Sequence, residues 1–173
     1  MIRKATASDA GALADLAGVT FPLACPPSSS PEDIAAHLAN TLSAANFAEY
    51  LADPEITVLV IDVDGGLRGY SLLVARPAQD PDVASALTLL PSVELSKCYV
   101  HPEHHGLGAA AELMQASIAH TAGTGAAGVW LGVNRQNTRA IRFYEKSGFR
   151  KVGTKSFRLG TSVEHDFVME RAV

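Results

Sequence analysis

The residues best equipped for chemistry are concentrated between Val93 and Ile118, in the run VELSKCYVHPEHHGLGAAAELMQASI. Within it, His105-Gly106-Leu107-Gly108-Ala109-Ala110 follows an apolar stretch and opens a helical one. A glycine-rich turn at a helix N-terminus offers unpartnered N–H groups, a positive dipole end and no Cβ atoms to hold an anion off, so it suits a phosphate. The alternative is an ordinary strand-to-helix turn that uses glycine only for positive φ. Upstream, Glu94, Ser96 and Cys98 fall on one face if strand alternation holds, setting a carboxylate and a thiol beside the loop. No cationic activator of the Cys98 thiol is evident, so core filling competes with a covalent role. His101, His104 and His105 have no Asp or Cys at ligand spacing, and no metal is expected. Downstream, Asn137 and Tyr144 lie seven residues apart, two helical turns, and so share a face. A core aromatic and a plain helix cap are the competing readings of that pair.

These groups need elements to position them. Val93 to Val100 reads as a strand; Leu107, Ala111, Met114 and Ile118 draw a 4, 3, 4 apolar stripe for the helix after the loop. Before it, Ile2 to Ala5 is a short strand, and Thr6-Ala7-Ser8-Asp9 is a capping box for a helix through Leu13, Leu16 and Ala17. Pro22, Pro26 and Pro27 predict a loop from Phe21 to Ser30. Ser30-Pro31-Glu32-Asp33 starts a second helix with Ile34 and Leu38, and a further segment with Leu42, Phe47, Tyr50 and Leu51 ends at Pro54. Ile56 to Ile61, Asp64-Gly65-Gly66 and Leu67 to Val74 spell a hairpin. Arg76 to Leu90 reads as irregular, with one turn near Val83 to Leu87. Val129 to Val133 is a strand, Asn137 caps a helix stopped by Gly148, and three short strands close the chain at Phe149 to Val152, Thr154 to Leu159 and Glu164 to Met169.

Two of these segments resemble motifs of the GCN5-related N-acetyltransferase (GNAT) superfamily. One is the acyl-CoA loop at His105 to Ala110; the other is Asn137-Thr138-Arg139-Ala140-Ile141-Arg142-Phe143-Tyr144-Glu145-Lys146-Ser147-Gly148-Phe149. The resemblance implies an α/β fold with a single mixed, splayed sheet flanked by helices, acetyl-CoA as co-substrate and direct transfer of acetyl to a primary amine. It further implies that His105, Gly106, Leu107, Gly108, Ala109 and Ala110 hold the pyrophosphate. Backbone groups of Cys98, Tyr99 and Val100 would meet the pantetheine along a bulged strand, with Asn137 bonding the same arm. Tyr144 would be the acid that protonates the leaving thiolate. Glu94 matches the base glutamate of the superfamily's histone acetyltransferases; binding a cationic acceptor, or pairing with Lys97 or an arginine, are its other readings. The chain departs from the usual Gln or Arg with His105, and from the third glycine with Ala110. Trp130-Leu131-Gly132-Val133 and the tail Phe157-Arg158-Leu159-Gly160 followed by Asp166 are most similar to bacterial spermine/spermidine acetyltransferases of the PaiA kind. A polyamine is thus the favoured acceptor, with Glu32, Asp33, Glu49 and Asp53 as possible countercharges or ordinary solvated acids. A protein N-terminal or lysine acetyltransferase, acting on a peptide amine, and a non-catalytic acyl-CoA-binding module are the alternatives.

Composition sets the outer limits. At 173 residues, 47% apolar and 18% charged, the chain suits one globular domain spanning 1–173. A net charge of −4 without a Lys/Arg cluster argues against nucleic acid, which requires a basic face. Two cysteines, no apolar run of membrane-spanning length and no secretory leader lead to the expectation of a cytoplasmic protein that does not enter membranes. The resemblance adds a homodimer through C-terminal edge strands as an implied state.

Overall fold

The structure, a computed structural model, describes residues 1–173 except the side chain of Phe157, so that part of the tail motif lies outside the described residues. The β-branched runs become strands and the capped segments helices. In chain order they are β1 Ile2–Lys4, α1 Ala10–Ala24, α2 Pro31–Thr41, α3 Ala44–Ala52, β2 Ile56–Val63, β3 Gly66–Val74 and α4 Pro81–Ala86. β4 Ser92–Val100, α5 Ala109–Ala122, β5 Gly128–Asn134, α6 Thr138–Lys146, β6 Arg150–Leu159 and β7 Ser162–Ala172 follow. The α/β fold read from the sequence is the one observed.

Seven strands form one sheet in the order β1-β2-β3-β4-β5-β7-β6. The β2–β3 turn is made by Asp64 and Gly65, both at positive φ (52° and 80°), the arrangement that suits a two-residue hairpin. The β4–β5 neighbours alone run parallel, and they pair only at Ser92, Val93 and Glu94. Beyond Glu94 the two strands separate, while β4 keeps β3 and β5 keeps β7 as far as Asn134. The sheet is therefore split from its middle outward. Leu113, Met114 and Ile118 of α5 cover one face, against Leu73, Leu95 and Leu131. Leu13, Leu16 and Phe47 of α1 and α3 cover the other, against Val58, Tyr70 and Leu72. Among the described residues no helix is long and apolar enough to cross a membrane.

Four local expectations are corrected. The helix continues to Ala24 through Pro22. A proline in the last turn forfeits only the bond to the Gly18 carbonyl, which lies at an exposed position and can turn to water. The α5 stripe is out of phase: Leu107 precedes the helix and is 73% exposed, Ala111 is exposed, and the inward face is Leu113, Met114, Ser117, Ile118 and Thr121. Ser117 and Thr121 can be buried because their hydroxyls donate to the carbonyls of Leu113 and Ser117, with Ser71 adding a partner at 2.8 Å. The three closing strands are two, since one extra residue, Val152, is accommodated as a bulge between the pairs Lys151–Met169 and Gly153–Val168. A similar slip in β4, where Leu72 faces Lys97 but Leu73 faces Leu95, leaves Ser96 as the extra residue. Cys98 packs in the α5-side core, whereas Glu94 lies beside Lys97 and Tyr50 on the other face, so the expected alternation from Glu94 to Cys98 is broken.

Candidate active site

The split in the sheet opens a cleft of about 640 Å³ that both helical layers reach. Its central wall is the unpaired side of β4. The His101 N–H donates to the Arg68 carbonyl on β3 at 2.7 Å, and alternation then assigns the N–H of Tyr99 to β3 and those of Cys98 and Val100 to the open side. Of the three backbone donors expected here, two face the cleft; Tyr99 contributes its side chain, not its N–H.

The glycine loop closes one end. Gly106 and Gly108 stand at φ 79° and 83°, and a Cβ built on either would meet nothing within 4 Å. Glycine is needed here for its backbone conformation, and the space in front of it is open. Gly108 caps α5, so the N–H groups of Ala109 and Ala110 begin the helix without intrahelical partners. His105 lines the cleft with these glycines, and its ring is engaged on both sides. Its Nε2 lies 2.8 Å from the Val100 carbonyl oxygen, and Arg139 of α6 approaches its Nδ1 at 3.5 Å. The cation beside the loop is Arg139, which the sequence motif contained but did not single out.

α6 brings its two expected residues to the same cleft. Asn137 caps the helix, its side-chain oxygen accepting from the Ala140 N–H at 3.1 Å, which leaves its amide N–H₂ for a ligand. The Tyr144 ring contacts Phe143 and Phe149 at 5.6 and 5.9 Å, and burial pushes its hydroxyl well above the ordinary tyrosine range, with the neighbouring Cys98 and Tyr99 adding to the effect. Burial pushes the Cys98 thiol up to about 12, which makes it a poor nucleophile near neutrality.

The other end is lined by Glu94, Lys97, Lys155, Glu164 and Asp166. Burial raises the Glu94 carboxyl, partly offset by Lys155 and Lys97, and it lowers the Lys97 ammonium. Asp166 is 6% exposed, and its carboxyl is likewise raised by burial. None of the four helical acids considered as countercharges lines this space. Asp33 accepts from Thr161 N–H and Ser162 Oγ, Asp53 pairs with Arg76, and Glu32 and Glu49 are exposed. Lys97 enters the sequence reading only as a pairing partner considered for Glu94, and Lys155, on β6 and far off in sequence, carries no local signal that would bring it here. Among the described residues no group of three His, Cys, Asp or Glu side chains could hold a metal ion.

A phosphate-bearing thioester fits these surfaces: an open positive-φ loop at a helix start, a free strand edge and a deep slot between strands. The comparisons point the same way. The acetyltransferase (GNAT) family model matches residues 22–149. An uncharacterized N-acetyltransferase of Mycobacterium tuberculosis is 48% identical over 164 residues, 95% of this chain and 97% of its own. The PaiA N-acetyltransferase of Thermoplasma acidophilum, solved with coenzyme A, superposes with a TM-score of 0.79 at 21% identity, covering all of this chain and 98% of that one. The ribosomal-protein-S18-alanine N-acetyltransferase of Escherichia coli superposes at 0.71 with 16% identity, over all of this chain and 93% of its own. Those two likenesses are of fold. The family model and the mycobacterial relative together decide the matter: the chain belongs to the GNAT family of acetyltransferases and is an enzyme of that kind.

Proposed function

We propose that residues 1–173 act as one N-acetyltransferase domain that moves acetyl directly from acetyl-CoA to a small primary amine. The observation that carries this reading is the position of Tyr144 in the split of the sheet, beside the strand edge on which Cys98 and Val100 present their N–H groups. Acetyl-CoA supplies the activated acyl group. Gly106 to Ala110 offer their N–H groups to its pyrophosphate, with Arg139 adding positive charge. The Asn137 amide and the Cys98 and Val100 N–H groups align the arm and polarise the carbonyl, a kind of contact that contributes a few kcal/mol, about 3 per donor, to acyl transfer. Glu94 takes the proton of the amine through a water, and Tyr144 gives a proton to the leaving sulfur. With its thiol held at about 12, Cys98 supports direct transfer over an acyl-cysteine route.

Replacing Gly108 with valine is expected to raise the Kd of acetyl-CoA at least roughly 10-fold, because a branched residue at φ 83° is strained and its side chain enters the phosphate space. Calorimetric titration checks this; an unchanged Kd would remove the loop from the binding surface.

Restriction to small acceptors is supported by Asp33. Its bonds to Thr161 and Ser162 tie the start of α2 to the β6–β7 turn, and a Cβ on Gly160 would run into its carboxylate. An Asp33→Ala variant should lose about 1–2 kcal/mol of stability in urea and raise KM for the acceptor while leaving KM for acetyl-CoA in place. Equal shifts in both KM values would count against the tie as an acceptor-side wall. A polyamine, implied by the PaiA resemblance, would find Glu94, Glu164 and Asp166 in the cleft; it would also meet the ammonium groups of Lys97 and Lys155. CoA release with spermidine, simple alkylamines, and N-terminal and lysine peptides as separate acceptors tests the proposal. Turnover of peptides alone would move the function to protein acetylation.

A further inference from the structure

Lys97 has a charge that the protein leaves unmatched. It follows the Ser96 bulge, its ammonium lies 3.2 Å from Ser96 Oγ and 5.7 Å from the centre of the Tyr50 ring, and no carboxylate of the described residues comes within 4.0 Å. Lys155 is in the same position, with its ammonium 5.8 Å from the centre of the Trp130 ring and no carboxylate within that limit. Trp130 itself is 5% exposed, and its buried indole N–H has no acceptor among the described residues. The side chains of Lys97, Lys155 and Trp130 line a lobe of about 390 Å³, with Arg76 and Asp80 at its far side, that shares Tyr50, Glu94, Ser96, Lys97 and Lys155 with the main cleft. Glu94 feels both ammonium groups and Asp166 feels that of Lys155, but neither carboxylate forms an ion pair with them. A half-buried ammonium without a counter-ion and a buried N–H without an acceptor are both costly in free energy, and both are relieved by the same kind of guest, an anion. On the cleft side the mismatch is reversed: Asp166 keeps a buried carboxyl oxygen, Oδ1, without a donor among the described residues.

Unmatched donors on one side and an unmatched carboxyl oxygen on the other complement a molecule with both charges. We propose that the acceptor is an amino-carboxylate, a primary amine bearing a carboxylate, with the carboxylate seated among Lys97, Lys155 and the Trp130 N–H and the amine directed toward Glu94 and the split. This rests on the acetyl-transfer reading of the same cleft and narrows its substrate class. A polyamine puts ammonium groups where the protein already places two; an amino-carboxylate does not.

Trp130 is the chain's one tryptophan, so its emission reports on this lobe directly. The test titrates the protein with saturating acetyl-CoA against α-, β- and γ-amino acids, their methyl esters, butylamine and spermidine, following both Trp130 emission and CoA release. Saturable emission changes are expected with amino-carboxylates alone, and their kcat/KM should exceed that of the matching esters by roughly 10- to 100-fold. Lys97→Met should close most of that gap, lowering the acid's kcat/KM roughly 10-fold more than the ester's; Lys155→Met guards against a folding defect in the first variant. Esters or spermidine served as well as the acids, equal loss on acid and ester, or no emission change with any amino-carboxylate overturns the proposal. Release of CoA with butylamine or spermidine alone keeps amine acetylation and discards the carboxylate seat. Emission changes without CoA release from any amine keep the seat and discard amine acetylation.

Discussion

A Tyr144→Phe variant is expected to bind acetyl-CoA with unchanged affinity and to turn over roughly 100- to 1,000-fold more slowly. The substitution keeps the ring that packs on Phe143 and Phe149 and removes only the hydroxyl. Because burial holds the phenol well above its ordinary pKa, the residue carries its proton throughout the neutral range and is available as an acid, not as a base. The same burial raises the proton affinity of a thiolate leaving beside it, so the proton has somewhere to go. The pH profile follows with a definite sign. Tyr144 imposes no falling limb on kcat up to about pH 10, the ordinary tyrosine value. As the proposed base, Glu94 has to be deprotonated, and its pKa is raised, so kcat/KM is expected to fall on acidification at a higher pH than a free glutamate would give. Steady-state CoA release at saturating donor, with a calorimetric Kd, makes the measurement. Near-wild-type kcat in Tyr144→Phe would return the residue to the core.

The second large effect is on stability and concerns Glu170, a fully buried carboxylate on β7. It accepts from the Thr88 hydroxyl, from the backbone N–H groups of Thr88 and Leu89 at 3.0 and 3.3 Å, and from Arg150 at 3.0 Å. Burial alone pushes its pKa up, but these donors together outweigh burial and hold it below the ordinary glutamate value. Glu170→Ala leaves buried donors unpaired and should cost about 3–5 kcal/mol, a fall in Tm of about 6–20 °C for a chain of this size. Glu170→Gln, which can still accept, should recover part of the loss. Since the folded-state pKa is the lower one, this contribution is fully present above the unfolded glutamate pKa, and it disappears as pH falls through the folded value. Thermal unfolding of both variants at pH 7 and under acid conditions decides it; an alanine variant as stable as the parent would show that the 88–91 segment anchors itself by other means.

Much of this was legible in the chain. Caps at Thr6, Ser30 and Asn137, the Asp64-Gly65 turn and the loop at His105 to Ala110 are local signals, and local physics placed their elements. What was not legible depends on neighbours distant in sequence. Pro22 suggests a break until the last turn of α1 is seen to need no bond there. Ser117 and Thr121 look like a polar face until their hydroxyls bond back along α5. That the His105 ring meets the Val100 carbonyl, five residues back across the turn, was not visible in the motif. Asp33 and Asp53 look like free charge until the β6–β7 turn and Arg76 bind them. Period-two counting could not foresee Ser96 as an extra residue, because a bulge leaves no trace in composition.

That one unpaired residue makes β4 sensitive to length in a way it is not to identity. Upstream of Ser96 the strand sends Glu94 toward the lobe lined by Lys97 and Tyr50; downstream it sends Cys98 into the opposite core and turns the Cys98 and Val100 N–H groups to the slot. The two halves are phased by a single peptide unit. Excising Ser96 would straighten the strand and rotate one half by half a pleat, moving either the carboxylate or the backbone donors out of the site even though every functional residue was still present. Insertions and deletions within Glu94 to Val100 are thus far harsher events for this enzyme than most point changes along the same strand.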